Sequence, residues 1–600
     1  MHDNSPRQDN PLPRQDNPLW ASGPEIPRLT PAEVAERGLT FADLLLLREH
    51  DEHPGLRFED SVWTWGEVVR ECAARAAVLG ALRRPDHPFH LGVLLENVPE
   101  YIFLLGAAAL SGATLIGINP TRRGGELAAD IRGVDCDLIL TDAQQRDLLA
   151  DLATGVDADR ILAVDEPEWL ERLSAAATHS VRVAPETSVR VAPETSVRVA
   201  PEARERSTRL LLTFTSGSTG APKAVICTTG RLAALGAMNH CSLTRDDVTY
   251  NAMPLFHGNA IMACWAPSVF TGATFTMRRR FSVSGFLPDI RRFGATYFNY
   301  VGRSLAYLLA APESPLERDT KLRIAFGTEA APRDRDEFAR RFGVRPVESY
   351  GSSEGGVVIR LTPDSPPNSL GRAPEFMNIE IHDEHGKQCP RAYFNEHGAL
   401  VNAAEAIGEI VNITGAAMFE GYYRNEQASA ERIDGEIFRT GDLGYQDEAG
   451  FFYFAGRSSD RIRVDSENFS SAPVERILAR FPGVKLAAVY PVPDPRTGDQ
   501  VMATLELDAG AEFDPSEFGR FLARQSDLGT KWAPRFVRIT AALPVTATRK
   551  IDKPALRRES WLADDPIYLG TGKTPEYQRL TPLLRAELTD EYALYGRSPN

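Results

Sequence analysis

Cysteine is scarce in this sequence, and its few copies are not grouped. The 600 residues include six cysteines, which are scattered between Cys72 and Cys389 without a CxxC pair. This usage fits reduced thiols better than a disulfide framework or a zinc site. No apolar run reaches the roughly 18 residues of a membrane-spanning helix, and the N-terminus lacks the basic start and apolar core of a signal peptide. We therefore expect a cytoplasmic protein without a transmembrane segment, for which peripheral membrane contact stays open.

Basic residues are also in deficit. The formal net charge is −15, with 67 lysines and arginines against 82 acidic residues. Such a chain repels phosphate-rich surfaces unless a local basic patch intervenes, so nucleic acid is not an expected partner. Any anionic ligand must instead be bound by local donors. The length exceeds that of a single compact core and indicates several structural units.

Two short repeats stand out, and neither has the period of a solenoid. PRQDNPL occurs twice between Pro6 and Leu19, and SVRVAPET begins at Ser180 and recurs twice with one change. Their composition is typical of solvated, structureless chain. We interpret residues 1–29 as a disordered tail and residues 176–206 as a linker or surface loop.

Strand-like and helical segments alternate over much of the chain. This alternation runs from about Thr30 to Asp142 and resumes from Leu210 to about Val358, which predicts parallel sheets with helices on both faces. A glycine-rich stretch follows and has an antiparallel pattern. A separable module then extends from about Asp460 to Arg558.

The predicted fold class is therefore α/β, or mixed α+β. We expect a large N-terminal domain over residues 30–457, built from doubly wound sheets and a small β-barrel-like portion. A small, mobile C-terminal α+β domain is expected over residues 460–558, followed by an extension over residues 559–600.

One loop carries a concentrated signal for anion binding. The apolar run LLLTF leads directly into TSGSTGAPK, where glycines allow backbone amides to approach an anion and lysine supplies a positive charge. The expected ligand is a polyphosphate. The loop is not a Walker motif, because Ala221 and Pro222 separate Gly220 from Lys223. The candidate donors are Thr215, Ser216, Gly217, Ser218, Thr219, Gly220 and Lys223.

Further motifs follow this loop in a fixed order. They are ESYGSSEGG from Glu348, FRTGDLGYQDEAG from Phe438, FAGRSSDRIRVDSENFSSAPVE from Phe454, and LPVTATRKIDK from Leu543. Together they closely resemble the adenylate-forming superfamily of acyl-CoA synthetases, peptide-synthetase adenylation domains and luciferases. DRIRVDSENFSSAPVE and GATYFNYVGRSLAYLL resemble the branch of fatty-acid-transport proteins, very-long-chain acyl-CoA synthetases and actinobacterial fatty-acid-CoA ligases.

The resemblance implies a nucleotide site. In that superfamily a carboxylate is joined to the α-phosphorus of ATP, and the glycine-rich loop holds the departing phosphates. Glu354 matches the Mg²⁺-binding glutamate, and Asp442 and Arg457 match residues that contact ribose or phosphate. The remaining nucleotide-binding positions implied are Gly327, Thr328, Glu329, Tyr350, Gly351, Ser352 and Ser353.

The resemblance also implies roles for residues of the tail module. Lys550 matches the lysine that contacts the α-phosphate and the acid, so Lys550, Glu354 and Thr215 are the catalytic candidates. Ser459 occupies the hinge about which the domain rotates between half-reactions. Arg463 and Ser466 lie on the side expected to face CoA, and Ser466 replaces a glycine beside the pantetheine tunnel. Because serine adds a side chain there, CoA is less securely implied than ATP and Mg²⁺.

The acid is expected among apolar and aromatic segments. Residues His257, Asn299, Tyr300, Gly302 and Arg303 are the candidates for this pocket. For His257 the alternative interpretation is a partly buried, hydrogen-bonded core histidine. Arg303 needs a charged partner or a polar substrate group if it is buried, and it otherwise points to solvent from a helix.

The sequence therefore indicates an ATP-dependent ligase that adenylates a carboxylic acid, with a fatty acid favoured, and then transfers the acyl group to CoA. An alternative on the same scaffold is an enzyme that activates nitrite and forms diazo or N–N bonds. A binding or transport-associated protein without catalysis is disfavoured by the presence of Lys550, Glu354 and Asp442.

Replacing the proposed lysine gives a direct test. Lys550→Ala should abolish acid-dependent pyrophosphate release, because the α-phosphate and the carboxylate lose their shared cation. Pyrophosphate release is the quantity to measure. A variant that adenylates at the wild-type rate would contradict the role of Lys550.

Overall fold

The structure is a computed structural model that places most of the chain. It describes residues 29–177, 199–215, 223–328, 330, 332–396, 400–457, 461–464, 467–495, 499–525, 528–529, 531–546, 550–572, 576–594 and 597–598. The N-terminal repeat and most of the SVRVAPET repeat lie outside these residues.

An eight-stranded sheet forms one half of the large domain. Its interior strands are parallel and its two outermost pairs are antiparallel. Interior strands such as Tyr297–Val301 are buried along their whole length, as expected for a parallel sheet covered on both faces. In spatial order the strands are Val358–Arg360, Pro346–Gly351, Ile324–Thr328, Tyr297–Val301, Val248–Asn251, Thr274–Met277, Pro54–Phe58 and Ser61–Thr64.

A six-stranded sheet forms the other half. It is parallel except for a terminal hairpin, whose two strands flank the glycine-rich loop. In spatial order its strands are Ile161–Ala163, Leu138–Thr141, His90–Leu94, Thr114–Gly117, Arg209–Thr215 and Lys223–Thr228. These two sheets confirm the predicted doubly wound architecture.

The rest of the β-structure is mainly antiparallel, as the glycine-rich stretch indicates. One sheet contains Ile379–His382, Gly408–Asn412, Ile437–Gln446, Ile433–Asp434 and Phe452–Arg457. A two-stranded ribbon, Arg461–Val464 with Glu467–Ser470, follows. The last sheet contains Val484–Pro493, Asp499–Leu507, Phe536–Thr540, Ile567–Thr571 and Glu576–Arg579.

Helices cover the sheets and connect their strands. The α-helices are Pro31–Glu36, Phe41–Leu46, Trp65–Leu82, Pro99–Ser111, Gly124–Gly133, Ala143–Arg146, Pro167–Ala177, Thr229–Met238, Gly258–Ala260, Ala266–Thr271, Val283–Phe293, Gly302–Ala310, Pro332–Phe342, Ala403–Ala406, Glu426–Ala430, Ser471–Leu478, Pro515–Ala523, Lys553–Glu559 and Pro582–Leu594. A π-helical segment spans Ile261–Trp265. Short 3₁₀ turns span Asp147–Leu149, Ala158–Arg160, Pro201–Arg204, Pro315–Glu317 and Ser560–Leu562.

The main core lies where helices of the two large sheets meet. The helix Pro99–Ser111 is buried over almost its whole length, which explains its continuous apolar sequence. The ring centroids of Trp65 and Trp265 lie 5.4 Å apart, and Phe275 packs edge-on against Trp265. These rings belong to one core that contains residues of both sheets.

The C-terminal sheet continues past Arg558. The strands Ile567–Thr571 and Glu576–Arg579 extend it, and the helix Pro582–Leu594 packs its buried face on the same core. Trp561 is completely buried and stacks on Phe536 at 5.8 Å between ring centroids. Among the described residues, no helix is both long and apolar enough to cross a membrane.

The packing of Trp561 predicts a large stability effect. Trp561→Ala should destabilise the C-terminal sheet by about 3–5 kcal/mol, the usual cost of truncating a buried aromatic residue. Hydrogen exchange of the strand Phe536–Thr540, measured in the full chain, reports this loss. Leu594→Ala is the control because Leu594 is 77% exposed. Unchanged protection in Trp561→Ala would contradict the packing described.

Candidate active site

The hairpin strands place the two ends of the glycine-rich loop. Thr215 lies opposite Lys223 in the antiparallel register, and its hydroxyl donates a 3.4 Å hydrogen bond to the Lys223 carbonyl. The buried residues Leu210–Leu212 anchor the first strand in the sheet. Residues Ser216, Gly217, Ser218, Thr219 and Gly220 lie outside the described residues. Their predicted contact with phosphates therefore stays a prediction.

A tyrosine joins this hairpin to the predicted metal ligand. The Lys223 ammonium lies 5.3 Å from the centroid of the Tyr422 ring, within the range of a cation–π contact. The Tyr422 hydroxyl donates a 2.8 Å hydrogen bond to Oε1 of Glu354. Burial and the neighbouring Glu354 carboxylate raise the pKa of Tyr422, so the phenol stays protonated and donates. Lys223 and Glu354 are thus brought together by a residue that sequence reasoning missed.

An arginine ties the second hairpin strand to the loop before Glu354. Arg231 is buried and donates to the carbonyl of Ile226 at 2.7 Å and to that of Ser353 at 2.6 Å. The chain turns after Glu354 at Gly355, whose φ of +71° favours glycine. Arg231 lies outside the recognised motifs, so nothing in the sequence singled it out.

The predicted ribose ligand lies on the neighbouring antiparallel sheet. Asp442 accepts a 2.6 Å hydrogen bond from the Tyr350 hydroxyl. Asp442 also lies opposite Arg457 in the strand pair, although only the backbone of Arg457 is described. The preceding Gly441 has a φ of +72° and donates its N–H to Glu409. The structure therefore brings the tyrosine of one predicted motif onto the aspartate of another.

A second unpredicted arginine connects these two halves. Nε of Arg432 donates to the Tyr422 hydroxyl at 3.2 Å, and its Nη1 donates to the Thr440 carbonyl. Burial opposes the charge on Arg432, but its contact with Tyr422 and the carboxylates of Glu354 and Asp442 raise its pKa. A permanent cation is thus held between the predicted metal ligand and the predicted ribose ligand.

The residues present fit a magnesium ion that is shared with a nucleotide. The described residues contain no cluster of three or more histidine, cysteine or acidic side chains that would hold a metal alone. Oε2 of Glu354 accepts no hydrogen bond from a described residue, whereas Oε1 is held by Tyr422. One carboxylate oxygen supplemented by phosphate oxygens and water is a usual arrangement for Mg²⁺.

The acid-pocket candidates fall on two faces of one sheet. Asn299 is buried and donates a 2.8 Å hydrogen bond to Asn259, on the helical segment that begins after His257. Tyr300 is also buried, but its hydroxyl donates to Glu348 and its ring packs with Phe298. Neighbouring strand residues alternate in direction, so Asn299 and Tyr300 do not line the same face.

A π-helical segment and two glycines lie in the region near Asn299. Tyr297 donates a hydrogen bond to the Ala263 carbonyl within the π-helical segment, a feature often found at functional sites. Gly302 begins the next helix, while the side chain of Arg303 is not described. A Cβ at Gly327 would lie 2.4 Å from the Tyr300 carbonyl oxygen, so only glycine fits there. Thr328 ends the same strand, and Glu329 lies outside the described residues.

The C-terminal candidates are only partly described. Lys550 pairs with Thr546: its N–H donates to the Thr546 hydroxyl, and its carbonyl accepts from the Thr546 N–H. Arg463 lies in the strand Arg461–Val464, and its side chain is not described. Ser459 and Ser466 lie outside the described residues. Arg476 donates a 3.1 Å hydrogen bond to the Phe454 carbonyl, on the other side of the predicted domain boundary.

Comparisons with known proteins identify the family of this chain. Residues 47–423 match the family model described as AMP-binding enzyme, and residues 473–550 match the AMP-binding enzyme C-terminal domain. The chain is 51% identical to steroid-22-oyl-CoA synthetase of Rhodococcus jostii, over 93% of this chain and 98% of the relative. It is 42% identical to the medium/long-chain-fatty-acid–CoA ligase FadD17 of Mycobacterium tuberculosis, over 88% of this chain and 98% of that protein.

A solved structure shares the fold. The ATP-bound MatB of Rhodopseudomonas palustris superposes with a TM-score of 0.72 at 22% identity, covering 87% of this chain and 99% of that one. At this identity the likeness shows the fold alone.

The contacts of Arg231 predict an effect on ATP use. Arg231→Met should raise KM for ATP about tenfold, because two carbonyl groups lose a charged hydrogen-bond donor that holds the hairpin against the Ser353 loop. Steady-state kinetics at saturating acid measures this change. Arg424→Met is the control, since Arg424 pairs with Asp135 on the surface. An unchanged KM for ATP in Arg231→Met would contradict the linking role.

Proposed function

Because this chain belongs to the AMP-binding enzyme family, we propose that it is an ATP-dependent, AMP-forming ligase that joins an apolar carboxylic acid to CoA. The observation that carries the proposal is the connected set of Lys223, Tyr422 and Glu354 next to Asp442 and Tyr350. This set offers a cation, a carboxylate for a metal and an acceptor for ribose hydroxyls within one continuous network.

We propose that each part of ATP meets a different element of this network. The loop from Thr215 to Lys223 would hold the β- and γ-phosphates through amides, hydroxyls and the lysine. Asp442, with Arg457 beside it, would accept from the ribose hydroxyls. Gly327, Thr328 and Tyr350 would lie along the adenine and the adenylate.

In the first half-reaction a carboxylate oxygen attacks the α-phosphorus. A bond forms between them, and the bond from the α-phosphorus to the bridging oxygen breaks, so pyrophosphate leaves. Lys223 and Lys550 supply positive charge at the leaving phosphates and at the α-phosphate, where negative charge is concentrated. Mg²⁺ held by Glu354 would neutralise phosphate oxygens further. The acyl adenylate is the product.

In the second half-reaction the CoA sulfur attacks the acyl carbonyl. A carbon–sulfur bond forms, the bond to the AMP oxygen breaks, and the thiol proton is released. Rotation about Ser459 would withdraw Lys550 and bring Arg463 and Ser466 to the site. His257 would stand at the entrance for the carboxylate. Because ATP and CoA are cytoplasmic metabolites, we place the reaction in the cytoplasm.

The acid is proposed to be a carboxylated side chain on a bulky apolar body. The relative with 51% identity is named for a steroid-22-oyl product, and the relative with 42% identity for medium- and long-chain fatty acids. The aromatic residues Tyr297 and Phe326 lie beside Asn299, two residues before it and opposite it in the strand pair, and aromatic surroundings would suit an apolar substrate. The higher identity favours the steroid acid over the fatty acid.

The experiment compares acids and acceptors in one assay. Purified protein with ATP and Mg²⁺ receives a steroid-22-oic acid, a long-chain fatty acid, or nitrite with an arylamine, each with and without CoA. We expect acid-dependent AMP and an equal amount of acyl-CoA, with the highest kcat/KM for the steroid acid. A preference for the fatty acid would contradict only the acid class. AMP formation that depends on nitrite, or the absence of a thioester, would contradict the ligase proposal.

A further inference from the structure

The adjacent tyrosines of GYYR, Tyr422 and Tyr423, lie outside the predicted motifs. Their side chains contact different parts of the protein. Tyr422 is buried at 4% exposure and reaches the nucleotide site. Tyr423 points elsewhere, donating a 2.8 Å hydrogen bond to Asp135 and packing edge-on against His90. Tyr423 is therefore a matched control for Tyr422, because it has the same side chain at the next position but contacts different residues.

The backbone holds this pair in a fixed register beside the hairpin. Tyr422 forms a bridge with Val225, while the Ile226 N–H donates to the Gly421 carbonyl at 3.1 Å and the Tyr423 N–H donates to the Ala224 carbonyl at 2.8 Å. Gly421 has a φ of +94°, which suits glycine. These backbone hydrogen bonds fix Tyr422 beside the strand that begins at Lys223. The Tyr422 ring therefore lies next to the Lys223 side chain, at the end of the glycine-rich loop.

The Tyr422 hydroxyl separates two opposite charges. It accepts from Nε of Arg432 at 3.2 Å and donates to Oε1 of Glu354 at 2.8 Å. The guanidinium is therefore satisfied by a neutral oxygen instead of pairing directly with the carboxylate. Oε2 of Glu354 accepts no hydrogen bond from a described residue, which leaves that oxygen for a cation.

We propose that Tyr422 is a positioning residue of the nucleotide site, whose hydroxyl keeps Arg432 off Glu354 and whose ring holds Lys223. The proposal rests on the proposed function in one respect, since it takes Glu354 as the carboxylate that meets Mg²⁺·ATP. Without the hydroxyl, Nε of Arg432 loses its acceptor and gains a direct path to Glu354. An arginine–carboxylate pair competes with the metal for the same oxygens.

Two substitutions separate the two actions of the side chain. Tyr422→Phe removes the hydroxyl and keeps the ring over Lys223, whereas Tyr422→Leu removes both. Tyr423→Phe removes the neighbouring hydroxyl and leaves the nucleotide site untouched. Each full-length variant is titrated with ATP by calorimetry, once with excess Mg²⁺ and once with EDTA, in the absence of acid and CoA.

The proposal predicts a metal-specific loss of affinity. Tyr422→Phe should weaken ATP binding in Mg²⁺ about tenfold and change binding in EDTA less than twofold, as expected for the loss of one hydrogen bond to a charged group. Tyr422→Leu should weaken binding under both conditions, because Lys223 also loses its support. Tyr423→Phe should match the wild type in both titrations. In turnover, Tyr422→Phe should raise KM for Mg²⁺·ATP more than it lowers kcat.

Other outcomes are decisive against specific claims. If Tyr422→Phe equals the wild type in Mg²⁺, or loses the same affinity with and without metal, the positioning role is overturned. If the leucine variant fails to fold, a second measurement tests Tyr422→Phe. Electron paramagnetic resonance then compares the amount of Mn²⁺ that this variant and the wild type bind in the presence of ATP. If the wild type itself does not bind Mg²⁺·ATP, the proposed function is contradicted before this inference is reached.

Discussion

The site depends on the backbone contact between the second hairpin strand and the segment Gly421–Tyr423. This contact fixes the position of Tyr422 relative to Lys223, and the Tyr422 hydroxyl forms hydrogen bonds with Glu354 and Arg432. The hairpin closes the six-stranded sheet, Glu354 follows a strand of the eight-stranded sheet, and Arg432 directly precedes the strand Ile433–Asp434 of the antiparallel sheet. Three separate sheets therefore converge on one phenol, which is buried and leaves little freedom for any of them.

Charge at this point is arranged for an anionic ligand in a protein that is acidic overall. The net charge of −15 opposes the approach of ATP, while Lys223 and Arg432 supply positive charge beside Tyr422. The carboxylates of Glu354 and Asp442 each accept a hydrogen bond from a tyrosine hydroxyl. Neutral donors orient these groups without cancelling the charge that a metal or a ribose needs.

The sequence predicts the strands and motifs that form this site, but it does not predict the side-chain contacts that connect them. Periodic apolar segments such as HLGVL predict buried strands, and the motifs around Thr215, Glu354, Asp442 and Lys550 are recognisable by residue type and order. Arg231, Tyr422 and Arg432 act through contacts with residues far along the chain, so no local pattern marks them. The strands Ile567–Thr571 and Glu576–Arg579 were also not predicted, because their stability comes from pairing with a sheet that local sequence does not reveal.

The central claim is that the acid attacks the α-phosphorus of ATP, and isotope transfer tests it most directly. The acid is labelled with oxygen-18 in its carboxylate and converted by the full-length protein with ATP, Mg²⁺ and CoA. The account predicts a single labelled oxygen in the AMP product and none in pyrophosphate, since the oxygen that joins acid to phosphorus stays with AMP when the thioester forms. Label in inorganic phosphate or pyrophosphate, or unlabelled AMP alongside the thioester, would contradict it.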